Sequence, residues 1–78
     1  MDNLTVTVVM RDGYYTTAAS RQHEWHADLP EASGGTDNAP TPEELVMGTL
    51  GSCMAQTAKL YADRKGWKID RVEIQLNF

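Results

Sequence analysis

One stretch, residues 41–66, constrains the fold most because it carries the start and stop signals of a single long helix. Thr41 is a favourable N-cap, a proline follows it at the first helical position, and Glu44 comes three residues later, as a capping box requires. Basic residues occupy the last turn, and Gly66 favours a left-handed cap after it. We therefore predict a helix from Pro42 to Lys65, roughly 36 Å long, as the central element of the fold.

The interior of this helix predicts both a buried face and a close approach. Apolar residues recur at spacings of three and four, which is typical of one buried stripe. The stripe consists of Val46, Leu50, Cys53/Met54, Thr57/Ala58 and Tyr61. Gly48 and Gly51 each cost about 1 kcal/mol relative to alanine in a helix. They indicate either that another segment packs closely against the helix or that the helix breaks there.

The segments outside the helix alternate as β-strands do. Three predicted strands precede the helix, namely Leu4–Met10, Tyr14–Ala19 and His23–Asp28. The first two are joined by Arg11-Asp12-Gly13, which is a hairpin signal, and residues 20–22 form a second turn. A loop rich in Gly, Pro, Asp and Asn over 29–39 leads into the helix, and residues 68–78 alternate again as a half-buried strand.

These elements predict an α+β fold with a three-stranded antiparallel β-meander, a long central helix that carries the cysteine, and a further strand. We expect one domain over residues 1–78. A chain of 78 residues buries only about 60 % of its unfolded surface, so a lone monomer would be marginally stable. Because the strand pattern is still running at Phe78, we expect half of a larger fold, completed by dimerisation.

Composition excludes several classes of function. The net charge of −4, from 11 acidic and 7 basic residues, argues against nucleic acid and anionic membranes as partners. No apolar run has membrane-spanning length. The single cysteine and the absence of a signal-like N-terminus predict a reducing, cytoplasmic setting. No Cys/His cluster has zinc-ligand spacing, so we expect neither a metal nor another cofactor.

Several motifs together resemble the OsmC/Ohr family (osmotically inducible protein C and organic hydroperoxide resistance protein). The most specific is Pro-Glu-Glu-Leu at 42–45 with Cys53 ten residues after Glu43. Gly34-Gly35-Thr-Asp-Asn-Ala-Pro40 before it and Tyr61-Ala-Asp-Arg-Lys-Gly66-Trp67 after it also fit. The Arg11-Asp12-Gly13 turn resembles the hydroperoxide-resistance branch. The likeness covers almost the whole chain, but only the N-terminal half of a family member.

The resemblance implies a thiol-dependent peroxidase that reduces organic hydroperoxides and works as an intertwined homodimer. Carried over by position, Cys53 would be the peroxidatic residue, Glu43 the supporting carboxylate and Arg11 the guanidinium, with Arg21 as its substitute. The thiolate is the nucleophile, and a nearby cation favours it. The resulting sulfenic acid needs a second thiol. The family's resolving cysteine lies in the absent half, so the implied reductant is an external dithiol.

Helix geometry complicates this assignment. Glu43 and Cys53 are ten residues apart, roughly 15 Å along an unbroken helix, and they point in different directions. Three arrangements would solve this: a break in the helix near Gly48 or Gly51, a long Arg11 that bridges the two, or completion of the site by a second subunit. All three favour a site at an interface.

Two alternatives to an active enzyme stay open. The chain could be a non-catalytic OsmC-like module for dimerisation or for binding an apolar ligand beside the helix. It could also be a fragment of a longer peroxidase, whose activity requires the whole protein. For Cys53, the plain structural alternative is a small buried core residue.

Overall fold

A computed structural model describes residues 4–78 and contains a three-stranded sheet, a short 3₁₀ helix and one long α-helix. The strands are β1 (Thr7–Met10), β2 (Thr16–Ser20) and β3 (His23–Ala27). The 3₁₀ helix spans Glu31–Ser33, and the long helix α1 spans Pro42–Lys65. The predicted α+β class is confirmed. The chain divides into two compact units, of which the first ends at Leu45 and the second begins at Val46, while the single domain stays a prediction.

The sheet is the predicted antiparallel meander, with β2 between β1 and β3. Pairing of Met10 with Thr16 leaves residues 11–15 as the first turn, in which Gly13 has a φ of 79° that glycine adopts without strain. The second strand therefore starts two residues later than predicted. Ser20 pairs with His23 across the second turn, and Ala18, at the middle of β2, is buried.

Both ends of α1 are built as the sequence predicts. At the N-terminus, the backbone N–H of Glu44 donates to the Thr41 hydroxyl at 3.2 Å, and the N–H of Thr41 donates to the Glu44 carboxylate at 2.9 Å. This is the reciprocal capping box. At the C-terminus, Gly66 has a φ of 74°, and the N–H of Trp67 donates to the carbonyl of Ala62 at 2.9 Å, which is a Schellman motif.

We expect Gly66→Ala to reduce the free energy of unfolding by about 1 kcal/mol, the usual cost of a left-handed L-residue. No heavy atom lies within 4 Å of the position that a Cβ would take at Gly66, so the cost would come from the backbone alone. Urea unfolding followed by circular dichroism measures it. Gly66→Asn is the control and should lose less, because asparagine tolerates this conformation. Equal stability of the alanine variant and the wild type would contradict this account.

The predicted fourth strand is not formed. Residues 68–78 have no strand assignment, and no ladder pairs with them within the described chain. A strand needs a partner for its backbone groups, whereas the alternating sequence only prepares one face for burial. The apolar face of residues 68–78 nevertheless packs against α1, because the side chains of Ile74 and Leu76 approach Gly51. A Cβ on Gly51 would lie 3.1 Å from Leu76 Cδ1, so the predicted close approach is confirmed at this glycine.

The predicted buried stripe of α1 is wrong for this structure. Val46, Leu50, Met54 and Tyr61 are all exposed, while Gly51 and Ala62 are the buried residues of the helix. Amphipathic spacing shows which face could be buried, but burial also needs a segment that covers that face. Here the covering segment lies against the small residues instead. Despite this apolar surface, α1 lacks the sustained hydrophobicity of a membrane-spanning helix, as does the rest of the described chain.

Candidate functional site

Cys53 lies in the middle of α1 with its side chain exposed. The interpretation of this residue as a sealed core cysteine is therefore wrong for this structure. The thiol forms no hydrogen bond with any described residue, and its neighbour Ser52 donates instead to the carbonyl of Gly48 at 2.9 Å. A small oxidant can reach such a sulfur from solvent.

Glu43 lies in the first turn of α1, exposed and outside the capping box that Glu44 completes. Thr41 engages Glu44 in the capping box, whereas Glu43 takes no part in it. Glu44 closes the helix end, as the sequence predicts. The carboxylate of Glu43 belongs to no ion pair among residues 4–78 and can accept hydrogen bonds from a guanidinium.

Continuity of α1 removes one of the three arrangements that the sequence left open. The helix runs without interruption through Gly48 and Gly51. Glu43 and Cys53 are therefore ten positions apart on one continuous helix, a rise of about 15 Å along its axis. The expectation of a helix break near Gly48 or Gly51 is therefore wrong.

Arg11 follows β1 directly and lines a cavity of about 360 Å³ on the first unit. The other residues of this cavity are Val9, Asp12, Tyr15 and Thr17. The ring of Tyr15 stacks on His26 at 5.3 Å between centroids, and the Thr17 hydroxyl and His26 Nδ1 are 3.1 Å apart. Contacts with His26 therefore hold two of the lining side chains, Tyr15 and Thr17. Arg11 itself is exposed and forms no ion pair within residues 4–78.

Strand direction places Arg11 and Arg21 at opposite ends of the sheet. Arg11 follows the carboxyl end of β1, and β3 runs parallel to β1 because both are antiparallel to β2. The carboxyl end of β3, at Ala27, therefore lies at the same end as Arg11, and the loop that leads to Glu43 leaves from there. Arg21 lies in the β2–β3 turn, at the other end. Arg11 is therefore the arginine at the sheet end from which that loop departs.

Asp28, predicted only as the last residue of the third strand, binds the loop after β3 through its side chain. Its side chain is only 1 % exposed, and its carboxylate accepts four hydrogen bonds. The donors are Leu29 N to Oδ1 at 2.8 Å and, to Oδ2, Thr36 Oγ1 at 2.7 Å, Asn38 N at 3.1 Å and Thr36 N at 3.2 Å. The signal available in the sequence was an acid followed, eight and ten residues later, by Thr36 and Asn38 in a turn-forming loop.

The pKa of Asp28 is lowered below its ordinary value of 3.8. The hydrogen bond from the Thr36 hydroxyl is the largest cause, burial opposes it, and the backbone N–H groups of Asn38, Leu29 and Thr36 add to the lowering. These donors favour the charged form because each points at a carboxylate oxygen. A carboxyl group with a lowered pKa in the folded state stabilises the fold at neutral pH.

We expect this stabilisation to disappear in acid. The stabilisation is complete above pH 3.8, the ordinary pKa of an aspartate, and it is lost as the pH falls through the lowered pKa of Asp28 in the folded state. Thermal unfolding of the wild type and Asp28→Asn over this pH range tests the sign. Other carboxyl groups titrate in both proteins, so the difference in stability between the two should narrow as the pH decreases. A difference that stays constant with pH would contradict the assignment.

The described residues contain no alternative metal centre. Among residues 4–78, no three His, Cys, Asp or Glu side chains are grouped so that they could hold a metal ion. The ion pairs of this part of the chain are at exposed surface, such as Lys59–Asp63 at 2.5 Å and Arg71–Glu73 at 2.6 Å.

The second half of the chain is similar to a known protein family. Residues 35–78, more than half of the chain, match the family model described as OsmC-like protein. The matched segment contains Glu43 and Cys53, while Arg11 and Asp28 precede it. No curated protein and no solved structure matches the chain significantly.

Proposed function

Because this chain belongs to the family of OsmC-like proteins, we propose that it is a thiol-dependent peroxidase that reduces organic hydroperoxides through Cys53. The observation that carries the proposal is the exposure of this only cysteine within the family-matched part of α1. An exposed thiol with no hydrogen-bond partner among residues 4–78 is available to attack a peroxide. The apolar side chains around it, among them Leu50 and Met54, favour organic hydroperoxides over hydrogen peroxide.

The first step would be attack of the Cys53 thiolate on the outer oxygen of the hydroperoxide. The S–O bond forms as the O–O bond breaks, which yields a cysteine sulfenic acid and, after protonation of the leaving alkoxide, an alcohol. A dithiol then reduces the sulfenic acid. One of its sulfurs attacks Cys53, water leaves, and the second sulfur releases the Cys53 thiol while the dithiol becomes a disulfide.

Arg11 would stabilise the thiolate and donate hydrogen bonds to the peroxide oxygens. Glu43 would hold the guanidinium by a bidentate pair. The position of Arg11 at the sheet end from which the loop to Glu43 departs supports this partnership. Cys53 is about 15 Å from Glu43 along the axis of α1, so we propose that a second copy of the chain completes the site in a homodimer. The exposed face of α1 at Val46, Leu50 and Tyr61 offers the apolar surface for a second copy.

The experiment is a peroxidase assay of the full chain. Purified protein is mixed with cumene hydroperoxide and dithiothreitol, and peroxide loss is compared with that of Cys53→Ser. We expect the wild type to consume peroxide and the serine variant to match the buffer. Intact mass after peroxide treatment without reductant should show the gain of one oxygen atom in the wild type alone. Equal peroxide loss in both proteins would remove the enzyme hypothesis for this chain.

A second candidate function is that of a module that binds an apolar ligand, and one observation supports it. The second unit carries a groove of about 560 Å³ between α1 and the segment after it. Its lining residues are Ala55, Gln56, Lys59, Leu60, Ile69, Asp70, Arg71 and Val72. Cys53 is not among them, so this function would not depend on the thiol. The assay with Cys53→Ser separates the two candidates.

A further inference from the structure

Hydrogen bonds join the end of β3 to Pro40, which lies two residues before α1 begins. The backbone N–H of Asp28 donates to the carbonyl of Pro40 at 3.0 Å, so the two ends of the intervening loop are joined directly. The carboxylate of Asp28 then binds the interior of the loop at Thr36 and Asn38. Asn38 Nδ2 donates to Thr36 Oγ1 at 3.0 Å, which closes the network.

The connection from this network to Glu43 is short and stiff. Thr41 alone separates Pro40 from Pro42, and each proline ring fixes its own φ near −65°. Thr41 also forms both hydrogen bonds of the capping box with Glu44, one through its backbone N–H and one through its hydroxyl. The backbone direction at Pro40 therefore determines where the first turn begins and where Glu43 lies.

We propose that Asp28 is the positioning residue for Glu43: its buried carboxylate fixes the loop over 29–41 and thereby the first turn of α1 relative to the sheet end that carries Arg11. This inference rests on the proposed function for the role of Glu43, but its structural half can be tested without activity. An ionised carboxylate suits this task better than an amide. Four donors converge on its two oxygens, and an asparagine would replace one acceptor oxygen by an NH₂ group that opposes a donor.

The first test measures amide hydrogen exchange by NMR in the full chain. We expect Asp28→Asn to increase exchange at the Glu44 amide, which donates to Thr41 in the capping box, by about tenfold, the scale of one lost hydrogen bond. Thr36→Val removes the hydroxyl that donates to Asp28 and accepts from Asn38 Nδ2, and it should change the same amide in the same direction but less, because the three backbone donors to Asp28 remain. This variant keeps the charge and serves if Asp28→Asn folds poorly.

The matched control is Asp37→Asn, which removes one negative charge from the same loop. Asp37 has a φ of 53°, which asparagine tolerates, and its carboxylate forms no hydrogen bond within the described residues. Exchange at Glu44 should stay within about twofold of the wild type. Unchanged exchange in Asp28→Asn and Thr36→Val, or an equal increase in Asp37→Asn, would overturn the proposal.

The second test is a double-mutant cycle in kcat/KM with Glu43→Gln. If Asp28 acts through Glu43, then Asp28→Asn reduces kcat/KM in the wild-type background and has little further effect once Glu43 is glutamine. A merely structural contribution would reduce activity by the same factor in both backgrounds, and that result would overturn the positioning role. A wild type that consumes no peroxide would refute the proposed function, and the exchange experiment would then decide the structural claim by itself.

Discussion

Replacing Gly35 by alanine is expected to remove the folded form of the loop and to reduce the free energy of unfolding by roughly 3–5 kcal/mol, which is at the severe end for one substitution. A Cβ at this position would overlap the carbonyl oxygen of Leu29 and lie 2.5 Å from its carbonyl carbon and 2.8 Å from its Cα. These are backbone atoms, so no side-chain rotation can relieve the overlap.

The backbone at Leu29 has little freedom to move away. Its carbonyl accepts the N–H of Asp37 at 3.1 Å, and its own N–H donates to Asp28 at 2.8 Å. Gly35 is itself bound, because its N–H donates to the carbonyl of Pro30 at 3.1 Å. Relief of the overlap would break several of these hydrogen bonds at once, and each lost bond adds its own cost.

Gly48→Ala is the matched control for Gly35→Ala. Gly48 is an exposed interior residue of α1, and no heavy atom lies within 4 Å of its Cβ position. The same substitution should therefore stabilise the protein by about 1 kcal/mol through helix propensity. Urea unfolding followed by circular dichroism compares the two variants with the wild type. If Gly35→Ala were as stable as the wild type, the close approach at Leu29 would be refuted.

The elements that the sequence predicted well are those that local interactions determine. The bounds of α1 follow from the capping box at Thr41 and from Gly66, both of which act within a few residues. Strand β3 was also placed correctly to within one residue. By contrast, residues 68–78 have the alternation of a strand but no ladder in the described chain, since pairing depends on a distant partner.

The residues of the candidate site also differ in whether local sequence or distant contacts determine their positions. Cys53 and Glu43 were selected because their motif resembles the OsmC/Ohr family, but their separation along α1 depends on whether the helix is continuous, which the glycines left open. Asp28 was missed because burial of a carboxylate depends on donors eight and ten residues away. The positions of Arg11 and Arg21 at opposite ends of the sheet follow from the strand directions, which only the sheet pairing provides.

Arg11→Ala is expected to reduce kcat/KM for cumene hydroperoxide by about 10²–10³-fold, the usual effect of removing a donor that stabilises developing negative charge. Arg11→Lys should recover only part of this loss, because an ammonium keeps the charge but lacks the fork that binds a carboxylate and two peroxide oxygens together. Steady-state assays at saturating dithiol measure both. Alkylation of Cys53 by iodoacetamide at neutral pH should also be slower in Arg11→Ala if the guanidinium favours the thiolate.

Arg21→Ala is the control because it removes the same side chain from the opposite end of the sheet. Arg21 is exposed in the β2–β3 turn, where it has a φ of 55°, and it lies outside the cavity that Arg11 lines. Its removal should leave kcat/KM within about twofold of the wild type, as for a surface substitution away from the site. A large loss in Arg21→Ala with none in Arg11→Ala would reverse the assignment, because the guanidinium would then have to come from the far end of the sheet. Equal losses in both would mean that the effect is one of net charge, since a positioned donor cannot occupy both ends of the same sheet.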